Sequence, residues 1–461
     1  WASKRSRKQN LEYYPFPFYM AYAASLLKKN GVDAKLRDAI ADKKTKPEVL
    51  KFLKKENPDA VLISTSTPSI YSDLDFAEKI KKEIDTKIIF SGPHSTALPE
   101  EILSNDSVDF IVFGEYEFTL LELVKEFSKK TKDYEKIKGI GFKKKGRIII
   151  NERRQLLKDL DSLPYPEREE LPIYSYNDPF CKKHPSIPLI ATRGCPYQCI
   201  FCLEPHVFYG KPNYRKRDPK NVVDEMMFLI KKYKAKELYF DDTSLTVDKE
   251  FIKKLCIQII DKEIKISWSC MGDAKTDYET LKLMKKSGCT GIKFGVESAD
   301  PKILKNINKP LDLETVKRFV KNCNKLGIFS HGTYMFGLPG ETKKTIKKTI
   351  DFAFSLGSTS AQFSVATPFP GTPFYKMAKE NGWLITEDWT KFEGAQTPVI
   401  SYENVTEKDL QDAIEYAKKK RIIQILKRPE VAFQYLTKIY NMKGFSGLIK
   451  EAYQKTHFLL N

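Results

Sequence analysis

Residues 34–130 alternate short apolar runs with amphipathic segments. Between and after the apolar runs, residues 71–84 and 118–127 place apolar side chains at helical spacing. Strand–helix alternation predicts a doubly wound, flavodoxin-like α/β domain with a parallel sheet, which we assign to residues 1–135. Three apolar runs predict its buried strands: AVLIST (60–65), KIIFSG (87–92) and FIVFGE (110–115).

A hairpin and a linker follow this domain. Residues 137–153 contain two apolar runs on either side of a Lys-Gly turn, which predicts a β-hairpin. The stretch LPYPEREELP (163–172) contains three prolines and predicts a linker. We therefore assign residues 136–187 to a hairpin and linker between two domains.

A second strand–helix series begins near residue 188 and predicts a partial, TIM-like (βα)6 barrel over residues 188–404. In such folds the functional loops lie at the carboxyl ends of the strands. Its predicted strands are 188–194, 237–242, 265–270, 291–298, 332–340 and 361–371, with helical stretches that include 251–262, 312–325 and 342–356.

The C-terminal segment, residues 405–461, is helical in pattern and basic. From Glu415 onwards it has ten Lys or Arg residues and three Glu residues, interleaved with Ile, Leu, Phe and Tyr. Such a stretch can lie on an anionic membrane surface with its apolar side buried. It can equally form a helical cap whose apolar side packs on the barrel. The pattern leaves both interpretations open.

Length and charge narrow the class of protein. A chain of 461 residues predicts two or three domains. The net charge of +19 is compatible with nucleic acid, an anionic membrane or a phosphate-rich partner, and equally with a lysine-rich surface. No apolar run approaches the roughly 18 residues of a membrane-spanning helix. We expect a cytoplasmic protein, with peripheral membrane contact as one alternative.

Three of the eight cysteines, Cys195, Cys199 and Cys202, lie in one short loop after the first barrel strand. Thiolates bind soft metals, and three ligands on a four-iron cluster would leave one iron open to a small molecule. His206 offers an alternative, because it could close a zinc tetrahedron with the three cysteines. An unligated triplet is the third possibility. The other five lack ligand spacing and are predicted to be ordinary core or surface thiols: Cys181, Cys256, Cys270, Cys289 and Cys323.

The segment CPYQCIFC (195–202) resembles the CxxxCxxC signature of radical S-adenosylmethionine (SAM) enzymes, including the aromatic Phe201 before the last cysteine. Residues 214–225 resemble the segment that leads into the family's first barrel helix. Upstream, 92–101 and 112–123 resemble the cobalamin-binding domain of one large branch. Within that branch, residues 13–27 and 369–384 look most like enzymes of the hopanoid pathway, the oxygen-independent porphyrin cyclase and the archaeal tetraether-lipid ring synthases.

The resemblance implies a 4Fe–4S cluster on the three cysteines, with SAM bound at the open iron and cleaved to a 5′-deoxyadenosyl radical. It also implies a low-potential electron donor of the flavodoxin or ferredoxin type. The positions that match the family's SAM contacts are Phe201, Asp241, Asp242, Gly295, Glu297, Ser298, Phe336 and Gly337. For Asp241 and Asp242 the alternative to a SAM contact is an N-cap of the next helix. For Gly295 the alternative is simple packing of the strand.

Cobalamin is the second cofactor that the resemblance implies. The DxHxxG motif, which supplies a lower cobalt ligand in some cobalamin proteins, is absent from the sequence. His94 lies in a different loop and is predicted to be a loop-packing histidine, so we expect cobalamin to bind without a histidine ligand. The predicted cobalamin contacts lie in three strand-end loops: Thr65, Ser66, Thr67, Gly92, Pro93, His94, Gly114, Glu115 and Tyr116.

Three reactions are compatible with this resemblance. The first is hydrogen abstraction from an unactivated carbon of a hydrophobic, isoprenoid or lipid-like substrate, which then forms a C–C bond or ring. The second is cobalamin-dependent methylation of an unactivated carbon. RNA modification ranks third: its sulfur-transferring members carry an upstream cysteine triplet, whereas the first cysteine here is Cys181. We therefore expect a hydrophobic small-molecule or lipid substrate and no nucleic acid.

Overall fold

The structure is a computed structural model that describes residues 14–427, with side chains as far as residue 423. Two α/β units follow one another, and their sheets are separate. Among the described residues, no helix is long and apolar enough to cross a membrane.

The N-terminal sheet has five strands in the order in which they occur along the chain. The first three are parallel, whereas the last two pair antiparallel, so the predicted hairpin forms and extends this sheet. The strands are β1 (Ala60–Ser64), β2 (Lys87–Ser91), β3 (Phe110–Val112), β4 (Ile140–Lys144) and β5 (Arg147–Ile150).

Helices cover the N-terminal sheet, and the first of them packs against the last. The second begins at a capping box, because the Thr45 hydroxyl accepts from the Glu48 amide while the Glu48 carboxylate accepts from the Thr45 amide. The helices are α1 (Phe18–Lys29), α2 (Lys46–Glu56), α3 (Ile70–Glu83), α4 (Pro93–Ala97), α5 (Pro99–Leu103) and α6 (Glu117–Phe127).

The second sheet has six parallel strands, as the sequence predicts. They are β6 (Ser186–Leu189), β9 (Glu237–Phe240), β10 (Ser267–Gly272), β11 (Cys289–Glu297), β12 (Phe329–Phe336) and β13 (Ser360–Val365). Their order in the sheet is β13-β12-β11-β10-β9-β6, so β6 and β13 are edges rather than neighbours and the barrel is partial. Its helices are α7 (Pro219–Tyr233), α8 (Lys249–Asp261), α9 (Tyr278–Lys286), α10 (Pro301–Asn306), α11 (Leu313–Leu326), α12 (Lys343–Ser355) and α13 (Pro373–Glu380).

The predicted strand 188–194 is divided in the structure. After β6 the chain leaves the sheet, and β7 (Thr192–Arg193) pairs antiparallel with β8 (Arg215–Lys216). The cause is Asp242, whose Oδ1 accepts from the backbone amides of Ala191 at 3.0 Å and Thr192 at 2.5 Å. This turn begins the cysteine loop outside the barrel sheet.

The last helix that the structure describes, α14 (Glu407–Lys427), packs on α12 and β13. Its buried side chains are Leu410, Ala413, Ile414 and Ala417. This is the packing expected of a helical cap. Residues 428–461, which include much of the basic stretch, lie outside the described residues, so membrane contact there stays a prediction.

Candidate active site

The cysteine loop is fastened on two sides by backbone hydrogen bonds. The amide of Ile200 donates to the carbonyl of Ile307 at 3.1 Å. The carbonyl of Ile200 accepts from the amide of Phe374, also at 3.1 Å. Within the loop, the amide of Cys202 donates to the carbonyl of Cys199 at 3.0 Å. The loop is therefore held between the segments that follow β11 and β13.

The three loop thiols form no disulfide and are the soft donors that iron–sulfur clusters bind. Burial raises the pKa of Cys195 and Cys202, and it raises the pKa of Cys199 to about 11. Thiolates at this position therefore need a nearby positive charge, which an iron–sulfur cluster supplies. The other five cysteines are buried, as the prediction of ordinary thiols allows.

His206 does not complete a zinc tetrahedron. It lies in a single π-helical turn, Glu204–Phe208, and its Nε2 is 3.2 Å from the carbonyl oxygen of Cys199. Within the part of the chain that the structure describes, no three His, Cys, Asp or Glu side chains converge on a position for one metal ion. The geometry therefore gives no support to the zinc alternative.

The end of β11 brings an ion pair next to the cysteine loop. Lys309 Nζ lies 3.1 Å from Glu297 Oε1, and burial would lower the pKa of Lys309, but Glu297 and Cys199 raise it above its ordinary value. The Glu297 carboxylate occupies the space that a side chain at Gly295 would fill. The structure thus groups Gly295 and Glu297 with Cys199.

The sequence analysis did not predict Lys309 as a site residue. The only local sign of it is a lysine that precedes a proline in a loop.

The two adjacent aspartates at the end of β9 differ in their surroundings. Asp242 is buried and holds the turn before the cysteine loop, and its pKa is raised by burial to about 7. Asp241 is half-buried, and burial together with Asp178 raises its pKa to about 6. Neither caps the next helix, because Asp248 does so. Of the two, Asp241 is the better candidate for a SAM contact, and Asp242 positions the loop.

The other predicted SAM contacts are largely engaged within the protein. Ser298 accepts from the amide of Asp300 at 3.2 Å, and Phe336 stacks on Phe363 with ring centroids 5.4 Å apart. The amide of Gly337 donates to Glu341 Oε2 at 2.7 Å, and its carbonyl accepts from the Tyr402 hydroxyl at 2.6 Å. Phe201 is half-buried among core side chains. Their contact with SAM stays a prediction.

The predicted cobalamin loops all lie at the carboxyl edge of the parallel strands β1, β2 and β3. Gly92 has a φ of 109°, and a side chain there would overlap the Thr65 carbonyl. At the same edge, the buried hydroxyls of Ser91 and Tyr116 lie near each other without a hydrogen bond of standard geometry. Glycines and neighbouring hydroxyls at a strand edge fit a ligand that approaches the backbone.

The side chains of the first two loops bond mainly within the N-terminal domain. Thr65 Oγ1 donates to Asp73 at 2.7 Å, and the Ser66 hydroxyl lies 3.0 Å from that of Ser69. Pro93 begins α4. Their contacts with cobalamin stay predictions.

His94 is buried and packed, as predicted for a loop histidine. Its Nδ1 lies 3.2 Å from the Thr67 hydroxyl, and its ring meets Trp389 edge-on with centroids 5.4 Å apart. Burial lowers its pKa. Its other ring nitrogen, Nε2, lies 3.6 Å from Glu101 Oε1 without a hydrogen bond of standard geometry, and contact of His94 with cobalamin stays a prediction.

Glu115, in the third predicted cobalamin loop, pairs with side chains of the other domain. Its carboxylate bonds Arg193 at 3.2 Å and Arg215 at 2.6 Å, and both arginines belong to the barrel. Burial alone would raise the pKa of Glu115, but the two arginines lower it below its ordinary value. Glu115 therefore joins the two domains, and its contact with cobalamin stays a prediction.

Two family models match the chain: "Radical SAM superfamily" over residues 189–353 and "B12 binding domain" over residues 7–124. An uncharacterized methyltransferase of Pyrococcus horikoshii is 31% identical over 448 residues, covering 95% of this chain and 94% of its own length. This chain is a radical SAM enzyme with a B12-binding domain. The cofactors of such a radical SAM enzyme are a 4Fe–4S cluster, SAM and cobalamin, and the cysteine loop and the strand-edge loops fit them.

Further relatives of this radical SAM enzyme differ in the reaction they are named for. The anaerobic magnesium-protoporphyrin IX monomethyl ester cyclase of Cereibacter sphaeroides is 27% identical, covering 86% of this chain and 65% of that protein. The cytidylyl-2-hydroxyethylphosphonate methyltransferase of Streptomyces wedmorensis is 26% identical, covering 81% of this chain and 79% of that protein.

One solved structure supports the fold over nearly the whole radical SAM enzyme. The cobalamin-dependent radical enzyme OxsB, with aqua-cobalamin and SAM bound, has a TM-score of 0.73 at 16% identity and covers 98% of this chain and 69% of its own. At this identity the similarity concerns the fold alone.

Gly114→Val should reduce cobalamin retention and leave iron content unchanged. Gly114 has a φ of 69°, and an added Cβ would lie 3.2 Å from the Phe208 carbonyl oxygen at the edge where cobalamin is predicted to bind. Gly146→Val is the matched control, because its φ is 75° and nothing lies within 4 Å of the added Cβ. Both carry a backbone strain of about 1–2 kcal/mol. Corrin absorbance after desalting distinguishes them, and equal retention in both variants would argue against this edge.

Proposed function

We propose that this protein is a cobalamin-dependent radical SAM C-methyltransferase. The observation that carries the proposal is the similarity to a methyltransferase over nearly the full length of both chains. Two bacteriochlorophyllide methyltransferases of Chlorobaculum tepidum, with 27% and 26% identity, support the same reaction. When bound, the cluster and SAM supply a hydrogen-abstracting radical, and cobalamin supplies a methyl carrier.

The chain itself brings the two cofactor loops together. The turn Glu204–Phe208 begins two residues after Cys202 and contacts α4 at the edge where cobalamin is predicted to bind. Arg153 Nη1 reinforces this contact by donating to the carbonyls of Val207 at 2.9 Å and Phe208 at 3.0 Å. A methyl carrier and a radical source must act on one substrate carbon, and this adjacency suits that requirement.

The interior of the barrel favours a substrate with a polar group. Lys293 on β11 lies 4.6 Å from the ring of Tyr239 on β9, although β10 separates these strands. Such a contact crosses the concave face of the sheet. There Lys293 pairs with both oxygens of Asp178 at 2.9 Å, close to Asp241. We infer that this charged interior orients a polar or ionic part of the substrate.

Ring formation is a second candidate, because one relative is named as a porphyrin-ester cyclase. The relatives described above provide no support for a lipid substrate, which therefore stays a sequence-based prediction. The electron donor of the flavodoxin or ferredoxin type also stays a prediction.

The proposed reaction is tested with SAM that carries a trideuterated methyl group. Anaerobic holoprotein, a chemical reductant and a small-molecule extract of the producing cells are incubated, and labelled products are sought by mass spectrometry. Methylation predicts a product that contains the intact labelled methyl group. Products that have lost hydrogen but carry no label would favour ring formation instead.

A further inference from the structure

A group of buried and half-buried polar side chains lies where the two domains meet. We call this group the junction cluster, and its members are given at the end of this paragraph. Tyr19 comes from α1, Glu115 from the loop after β3, and the others from the cysteine loop and its flanks. The hydroxyls of Tyr19 and Tyr209 are 2.6 Å apart. The members of the junction cluster are Tyr19, Glu115, Arg193, Glu204, Tyr209 and Arg215.

Most polar atoms of the junction cluster have partners, but two buried atoms have none. They are Glu204 Oε2, an acceptor, and Arg215 Nη2, a donor. Both residues lie against Tyr209: the Arg215 guanidinium is 5.0 Å from its ring, and the Glu204 carboxyl lies near its hydroxyl and near that of Thr243. Buried polar groups in folded proteins are nearly always satisfied, so this pair points to a ligand that offers both a donor and an acceptor.

We propose that Glu204 and Arg215 bind a primary carboxamide on the rim of the corrin ring of cobalamin. A carboxamide carries an N–H donor for the glutamate and a carbonyl acceptor for the arginine. The location supports this choice. Arg215 holds Glu115 of the B12-binding domain, and Glu204 begins the turn that lies beneath Gly114 and α4.

The methionyl end of SAM offers the same chemistry, because its ammonium is a donor and its carboxylate an acceptor. The corrin is favoured because the junction cluster draws Tyr19 and Glu115 from the domain that binds cobalamin. The experiment must therefore distinguish these two sources.

The test compares aquacobalamin with its b-, d- and e-monocarboxylic acids, each of which replaces one rim carboxamide by a carboxylate. A carboxylate provides no donor for Glu204, so the wild type should bind one of these acids about tenfold more weakly than aquacobalamin. Glu204→Gln supplies its own N–H donor and should lose that discrimination. Affinities are read from the corrin spectrum, and iron content confirms that the cysteine loop is intact.

Glu122→Gln is the matched control, because Glu122 is exposed on α6 and pairs with Arg154. It should discriminate like the wild type. Equal discrimination by the wild type and Glu204→Gln would overturn the proposal. Weaker SAM binding by Glu204→Gln, with unchanged corrin discrimination, would assign the two atoms to SAM and would also overturn it. The comparison does not depend on the reaction proposed above, because it measures binding alone.

Discussion

Cys195→Ser, Cys199→Ser and Cys202→Ser should each lose the iron–sulfur cluster and all cleavage of SAM. Serine nearly matches cysteine in size, but its hydroxyl is a hard donor that stays protonated, whereas iron–sulfur clusters require thiolates. Because only three cysteines are available in the loop, removing one leaves too few ligands. Iron analysis should fall from about four irons per chain to near zero.

Cys181→Ser is the control for this series. Cys181 is buried and its sulfur lies 3.5 Å from the Ser269 hydroxyl, which can equally bond a serine. Its iron content and its SAM cleavage should match those of the wild type. His206→Asn should also retain the cluster. A colourless wild-type protein with one zinc, lost in His206→Asn, would contradict the cluster assignment.

Arg193→Met should destabilise the protein more than any surface substitution. Arg193 is 4% exposed and bonds two buried carboxylates of the other domain, Glu115 at 3.2 Å and Glu117 at 2.6 Å. Removing one partner of a buried ion pair leaves uncompensated charge and costs about 3–5 kcal/mol. The melting temperature measured by calorimetry should fall by at least about 5 °C.

Arg154→Met provides the comparison, because its partner Glu122 is 49% exposed and such surface pairs contribute about 0–1 kcal/mol. Adding Glu117→Gln to Arg193→Met should recover part of the loss, since it removes a buried charge that no longer has a partner. If Arg193→Met and Arg154→Met melt at the same temperature, the ion pairs do not hold the domains together.

The elements predicted most accurately are those with strong local periodicity. The strands β1, β2 and β3, and the six strands of the barrel, are short apolar runs between turn residues, and the structure contains all of them. The cysteine spacing similarly predicts the loop that holds the cluster, because three possible ligands on one loop are a local pattern. Fold and cluster loop therefore follow from neighbouring residues along the chain.

The side-chain roles could not be read in this way, because they depend on contacts between distant residues. Asp242 lies in a strand-end motif, but its carboxylate holds the backbone 50 and 51 residues upstream. Glu115 reaches Arg193 and Arg215 in another domain. Lys309 meets Glu297 only because α10 returns the chain to the end of β11. No periodicity or spacing encodes such pairs.

A cobalamin-dependent methyltransferase differs from other radical SAM enzymes because its reaction requires cobalamin in addition to SAM and the cluster. The decisive measurement quantifies 5′-deoxyadenosine and S-adenosylhomocysteine formed from SAM under anaerobic reduction with the cell extract. It uses protein that carries the iron–sulfur cluster and is prepared either with or without hydroxocobalamin. We expect both products when cobalamin is present, and loss of S-adenosylhomocysteine when it is omitted. Equal 5′-deoxyadenosine with and without cobalamin, and no S-adenosylhomocysteine in either sample, would contradict methyl transfer.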